Sequence, residues 1–154
     1  MGSIWRMIAA LLFVCCFTFA QDKPAAQDKP AASKPSTPSP IPVEAIHQAN
    51  PVKATPESLA AGKKWYGYDC EMCHGKTGDG KGSVGTDMKL AMSDFSDPAS
   101  LKDRTDGELF YSIKNGKGQM PPEGDRLKGN ELWNLVNYVR SLAKKKAAEE
   151  KTGQ

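Results

Sequence analysis

Five consecutive residues carry the clearest chemistry in this chain. Cys70-Glu71-Met72-Cys73-His74 sets two thiols three positions apart and places an imidazole directly after the second. That is the attachment sequence of a c-type haem. The thiols reach the two vinyl groups on one porphyrin edge, and the histidine lies under the ring as an axial ligand to the iron. Two other chemistries compete for the same residues. A structural zinc needs four ligands, and once the first twenty residues are set aside only His47 is left to join the run. A dithiol redox pair of the thioredoxin kind expects a βαβ setting, which no pattern here supports.

A sixth ligand would have to be another soft donor, since the folded part holds no second histidine. Met120 sits in Gly116-Lys117-Gly118-Gln119-Met120-Pro121-Pro122, where glycines and prolines hold an extended backbone close to a flat group and remove amide donors from a dry pocket. Met88 and Met92 are the fallback candidates, and an open sixth position is the remaining one. Met72 lies inside the attachment loop itself.

The elements that must position these residues occupy only part of the chain. It has 154 residues, and eight of its eleven prolines fall in the first 56. A proline-rich stretch with few aromatics buries too little apolar surface to offset its ordering entropy. The fold is therefore expected over residues 55–146, too short for a Rossmann enzyme, a barrel or a kinase. Met7–Ala20 reads MIAALLFVCCFTFA, uncharged, behind Arg6, and ends on a small-x-small pattern. Residues 1–20 are read as a cleaved secretory signal; an uncleaved anchor, or a lipidated Cys15 or Cys16 behind the bulky Val14, are the alternatives. Residues 21–54, with the repeat QDKPAA, are expected to be a disordered, extended spacer.

Net charge is +3, but its distribution decides more. Residues 55–143 hold twelve basic and thirteen acidic side chains, and the excess of lysine lies in the spacer and the tail. A nucleic-acid binder should concentrate positive charge on its folded face, so that class is excluded. Lys144-Lys145-Lys146 reads as a solvated helix end, followed by a flexible tail over 147–154.

From Thr55 onward the pattern is helical. Thr55 caps, Pro56 suits the first turn, and Leu59, Gly62, Trp65, Tyr66 and Cys70 recur at helical spacing, predicting a helix from Pro56 to about Asp69. Residues 75–100 read as glycine-punctuated loop. Thr105-x-x-Glu108 is a capping box for a helix with Leu109, Phe110 and Ile113 inward, stopped at Asn115-Gly116. Asn130 caps a last helix whose stripe is Leu132, Trp133, Leu135, Val136, Tyr138, Val139 and Leu142. No run alternates with period two, so the domain is expected to be all-α.

Together these residues resemble the small monohaem class I cytochromes c, over about Glu57 to Ala143. Gly62, Tyr66 and Cys70 are similar to that family's glycine–aromatic–cysteine ladder, Leu135 and Tyr138 to its leucine–aromatic pair, and NGKGQMPP to its methionine loop. The resemblance implies first and last helices crossing around one covalent haem c, with iron held by His74 and Met120. It implies a single-electron carrier rather than an enzyme, passing electrons between exported or membrane-bound redox proteins as a monomer, periplasmic in a Gram-negative source. Trp65, Tyr66, Leu109, Phe110, Ile113 and Leu135 would form the apolar shell, and Lys76, Lys81, Lys114 and Lys117 would flank the haem edge. A sensor or peroxidase-like protein with an open distal site, and a tethered subunit of a larger oxidoreductase, are the competing readings.

Overall fold

The computed structural model describes residues 40–152, with side chains described as far as Ala143. The expected signal sequence over 1–20, Cys15, Cys16 and the QDKPAA repeat lie outside the described residues. The described chain is helical and strand-free, with one isolated bridge between Lys117 and Met120. Its helices are α1 (Val43–Ile46), α2 (Pro56–Trp65), a π turn (Tyr66–Cys70), α3 (Glu71–His74), α4 (Ser83–Asp87), α5 (Pro98–Leu101), α6 (Asp106–Asn115) and α7 (Gly129–Thr152).

Capping chemistry explains the starts of the long helices. Thr55 Oγ1 accepts from the Ser58 N–H at 3.3 Å, and Pro56 occupies the first turn. The Thr105 capping box is complete: its Oγ1 accepts from Glu108 N–H at 3.1 Å, and Glu108 accepts from the Thr105 N–H at 2.7 Å. The last helix starts one residue ahead of Asn130, and the Lys128 N–H is satisfied by the Glu131 carboxylate at 2.8 Å.

The core is the crossing of α2 and α7. All seven residues of the α7 stripe are buried, with Tyr66, Leu101, Ile113 and Leu127 completing the cluster. Gly62 makes the crossing possible. A Cβ there would lie inside the Asn134 carbonyl and 2.7 Å from Tyr138 Cβ. Beside the crossing, Tyr66 and Tyr138 pack with ring centroids 5.2 Å apart. Phe110 of α6 stacks on Trp133 of α7 with ring centroids 4.1 Å apart. Arg140 ties α7 to the α5–α6 junction, donating to Asp106 Oδ1 at 2.8 Å, to the Leu101 carbonyl at 2.7 Å and to the Arg104 carbonyl.

Two expectations are corrected. Residues 40–54 are not a disordered spacer. Helix α1 packs on α6, where Gly107 leaves room for the Ala45 carbonyl and Thr105 Oγ1 donates to the Ile46 carbonyl at 2.7 Å. Asn50 donates to Asn137 Oδ1, and Asn137 Nδ2 donates to the Val52 carbonyl and Ser58 Oγ, each at 2.9 Å. Proline content predicts extension, but extended backbone docks well on a buried amide that needs partners. The C-terminal correction is similar: α7 continues through Thr152. Ala147, Ala148, Glu149, Glu150 and Lys151 are strong helix formers, and they prolong the helix where a flexible tail was expected.

Candidate haem-binding site

The attachment residues lie where two kinds of helix meet. Cys70 ends the π turn, Cys73 and His74 belong to α3, and Gly75 with φ +79° stops it. The glycine-rich loop that follows is not featureless. Helix α4 lies on the backbone of the attachment loop, and a Cβ at Gly85 would come 2.6 Å from the Cys73 carbonyl. Segment 116–124 returns along α6. Lys117 and Met120 exchange both backbone bonds at 3.1 Å around Gly118 and Gln119, and the Glu123 and Gly124 N–H groups close onto the Ile113 and Lys114 carbonyls at 3.0 and 2.9 Å.

Between these walls is a cavity of about 590 Å³. Cys70, Cys73, His74 and Met120 all line it, so one space brings together four residues that span fifty positions of sequence. Met92 lines it as well. Met88 does not, and is largely exposed. Met72 lies at the cavity surface, half exposed. Of the shell expected from sequence, only Leu109 reaches the cavity; Trp65, Tyr66, Phe110, Ile113 and Leu135 belong to the helix core instead. Leu90, Phe95, Leu101 and Pro121 line it in their place. Of the four lysines, only Lys117 lines it.

Phe95 is the residue that sequence reasoning missed. Its ring stacks on the His74 imidazole at 4.7 Å with planes 22° apart. No periodicity flags it, because it stands alone between short turns. His74 Nδ1 is buried with no hydrogen-bond partner, and burial lowers the pKa of the imidazole, keeping it neutral as a ligand nitrogen must be.

The thiols discriminate among chemistries. Burial pushes the Cys70 thiol up to about 12, with the Glu123 and Asp69 carboxylates adding to the effect. Dithiol exchange needs a stabilised thiolate, and this environment opposes one. Among the described residues no group of three His, Cys, Asp or Glu side chains could hold a metal ion, which leaves zinc without a ligand set. Two thiols, a neutral imidazole and a thioether around one largely apolar space fit a covalently attached haem.

One wall is acidic. Asp69 and Glu123 both line the cavity and share Arg126, which donates to Asp69 Oδ1 at 2.8 Å and Glu123 Oε2 at 3.3 Å. Burial, then the neighbouring Asp69 charge, raises the Glu123 pKa above its ordinary 4.5. The folded state thus holds this proton more tightly than the unfolded chain, so Glu123 removes stability as pH rises past 4.5. In Glu123→Gln the thermal midpoint should gain on the native protein's with rising pH; parallel midpoint curves from pH 4 to 8 would show that the carboxyl is not strained.

Residues 57–139 match the family described as Cytochrome C oxidase, cbb3-type, subunit III. The chain is similar to the chloroplastic cytochrome c6 of Chlamydomonas reinhardtii, 32% identical over 91 residues, covering 56% of this chain and 55% of that one. It is 30% identical over 88 residues to the cytochrome c6 of Diacronema lutheri, covering 55% of this chain and 96% of that protein. It also matches the quinohemoprotein alcohol dehydrogenase ADH IIB of Pseudomonas putida, 32% identical over 123 residues, but only 16% of that much longer protein is spanned.

Proposed function

Since this chain belongs to the small class I c-type cytochromes, whose cofactor is covalent haem c, we propose that it is a single-electron carrier in which His74 and Met120 would ligate the iron. The observation that carries the reading is the convergence of Cys70, Cys73, His74 and Met120 on one cavity. Haem c supplies an iron that alternates between ferrous and ferric states. The chain's own residues do the rest. Cys70 and Cys73 would hold the group as thioethers, which would remove the need for a large core to retain it. His74 is kept neutral by burial and backed by Phe95. The thioether of Met120, a soft donor, would favour the ferrous state and raise the potential. Leu90, Phe95, Leu101, Leu109 and Pro121 exclude water, which favours the less charged reduced state and limits reorganisation.

The partners are redox proteins outside the cytoplasm. Support comes from Met7–Ala20, read as an export signal, and from the assembly of covalent haem c outside the cytoplasm. Among the described residues no helix is long and apolar enough to cross a membrane. One observation favours a second reading, a tethered electron-transfer subunit: a similar domain occupies a small part of a larger alcohol dehydrogenase. Co-purification with a membrane oxidoreductase would separate it from a free carrier.

The test is optical. Ferrous holoprotein should be low-spin and indifferent to carbon monoxide. In Met120→Ala it should become high-spin and bind the gas, with covalent haem retained. If the variant's spectrum matches the native one, Met120 is not the ligand, and Met92, in the same cavity, is the next candidate to substitute. Gas binding by the native protein would instead indicate an open sixth site and a sensor or peroxidase-like role.

A further inference from the structure

Tyr66 holds both ends of the attachment loop. Its backbone carbonyl accepts the Glu71 N–H across the π turn, and its side-chain hydroxyl donates to the Gly75 carbonyl at 2.8 Å. Those two bonds bracket Glu71–Gly75, the segment containing Cys73 and His74. The ring is 1% exposed, so the hydroxyl has no access to water as an alternative partner, and burial holds it protonated as a donor.

The Gly75 carbonyl is also the start of a circuit that returns to the histidine. It accepts a second bond from the Gly78 N–H at 3.1 Å, and the Gly78 carbonyl accepts from the Phe95 N–H at 2.6 Å. Phe95 then stacks on the His74 ring. The His74 backbone is pinned separately, its carbonyl accepting from the Gly80 N–H at 2.9 Å. One hydroxyl therefore sets the position of a turn that governs His74 twice, through its own main chain and through the ring lying against it.

We propose that the Tyr66 hydroxyl is a positioning group that sets the plane of the His74 imidazole, acting through the Gly75–Gly78 turn and Phe95. A packing role for the aromatic ring at the α2–α7 crossing would be served equally by phenylalanine. The hydroxyl is what the crossing does not need. Nor does its removal strand the Gly75 carbonyl, which keeps the Gly78 N–H, so Tyr66→Phe should fold.

The inference rests on His74 being the axial ligand proposed above. The orientation of an axial imidazole plane is read directly in ferric low-spin haem, in the g values of the electron paramagnetic resonance spectrum and in the spread of the haem-methyl proton resonances. The experiment compares full-length holoprotein with its Tyr66→Phe variant after confirming covalent haem in both. The expected result is a displaced largest g value and a redistributed set of methyl shifts at unchanged haem content. Identical g values and methyl shifts would overturn the proposal, whatever the change in stability. If Tyr66→Phe does not mature, Phe95→Leu decides by the same readouts: it breaks the circuit at its other end while leaving Tyr66 in place, and unchanged spectra there would also overturn the proposal. Native protein without a covalent low-spin haem would instead sink the reading of the site.

Discussion

Cys70→Ser combined with Cys73→Ser should leave no haem on the chain after extraction with acidified acetone. A serine hydroxyl does not add across a vinyl group, so both thioethers are lost together. The consequence extends beyond colour. Left bare, the cavity of about 590 Å³ would lose the apolar contacts that the haem supplies to its lining. Those contacts matter to a domain whose whole stability is only about 5–15 kcal/mol. The double variant should therefore lose its cooperative thermal transition as well as its haem. Cys73→Ser alone should keep one thioether and a spectrum marking one unreacted vinyl group. Covalent haem surviving in the double variant would mean that some other residue forms the attachment.

Gly62→Ala is expected to be nearly as severe, for a different reason. Its new methyl would meet the Asn134 carbonyl, and at 2.7 Å the Cβ of Tyr138, atoms fixed by α7 itself rather than the tips of flexible side chains. The two helices would have to part, and the Tyr66–Tyr138 contact and the core beside it would open. A loss above about 4 kcal/mol is expected, the range reserved for a broken core. Gly67→Ala supplies the control. It lies five residues further on, and its Cβ would come no nearer than 3.8 Å to the Glu71 carboxylate. There the change should be neutral, or stabilise by up to about 1 kcal/mol as alanine replaces glycine. Denaturant unfolding of the holoproteins measures both, and equal effects at the two positions would refute the close crossing.

What the sequence made legible was what depends on short spacing. The Cys70–His74 run, the Thr105 capping box and the α7 stripe are each contained within a few turns of chain, and each stands where spacing placed it. Met120 was reachable because two prolines and two glycines mark its segment. What escaped notice depends on partners far away along the chain. Nothing near Asn50 or Val52 signals that Asn137 needs them, so residues 40–54 read as spacer. Phe95 belongs to no stripe, and its meaning comes only from the ring it covers. The acidic wall was hidden likewise: Asp69 and Glu123 are 54 positions apart, and only the fold brings them to Arg126. Most of the expected haem shell packs elsewhere because inward-facing residues of several helices were all assigned to the haem. Trp65, Tyr66, Phe110, Ile113 and Leu135 are taken up by the helix core, whereas Leu101 and Leu109 serve both the core and the cavity wall.

The long reach of the Asn137 amide carries a consequence for the order of assembly. It closes on Ser58 and Val52, 79 and 85 positions earlier. A chain made from its N-terminus thus exposes Cys70 and Cys73 well before α7 exists to cross α2. Loop closure over such a span is paid for only at the end, so the fold completes late and in one step. Until then both thiols stand in a chain whose long-range contacts have not closed, open to attachment. The crossing that stabilises the finished protein therefore forms only after the attachment residues have been made.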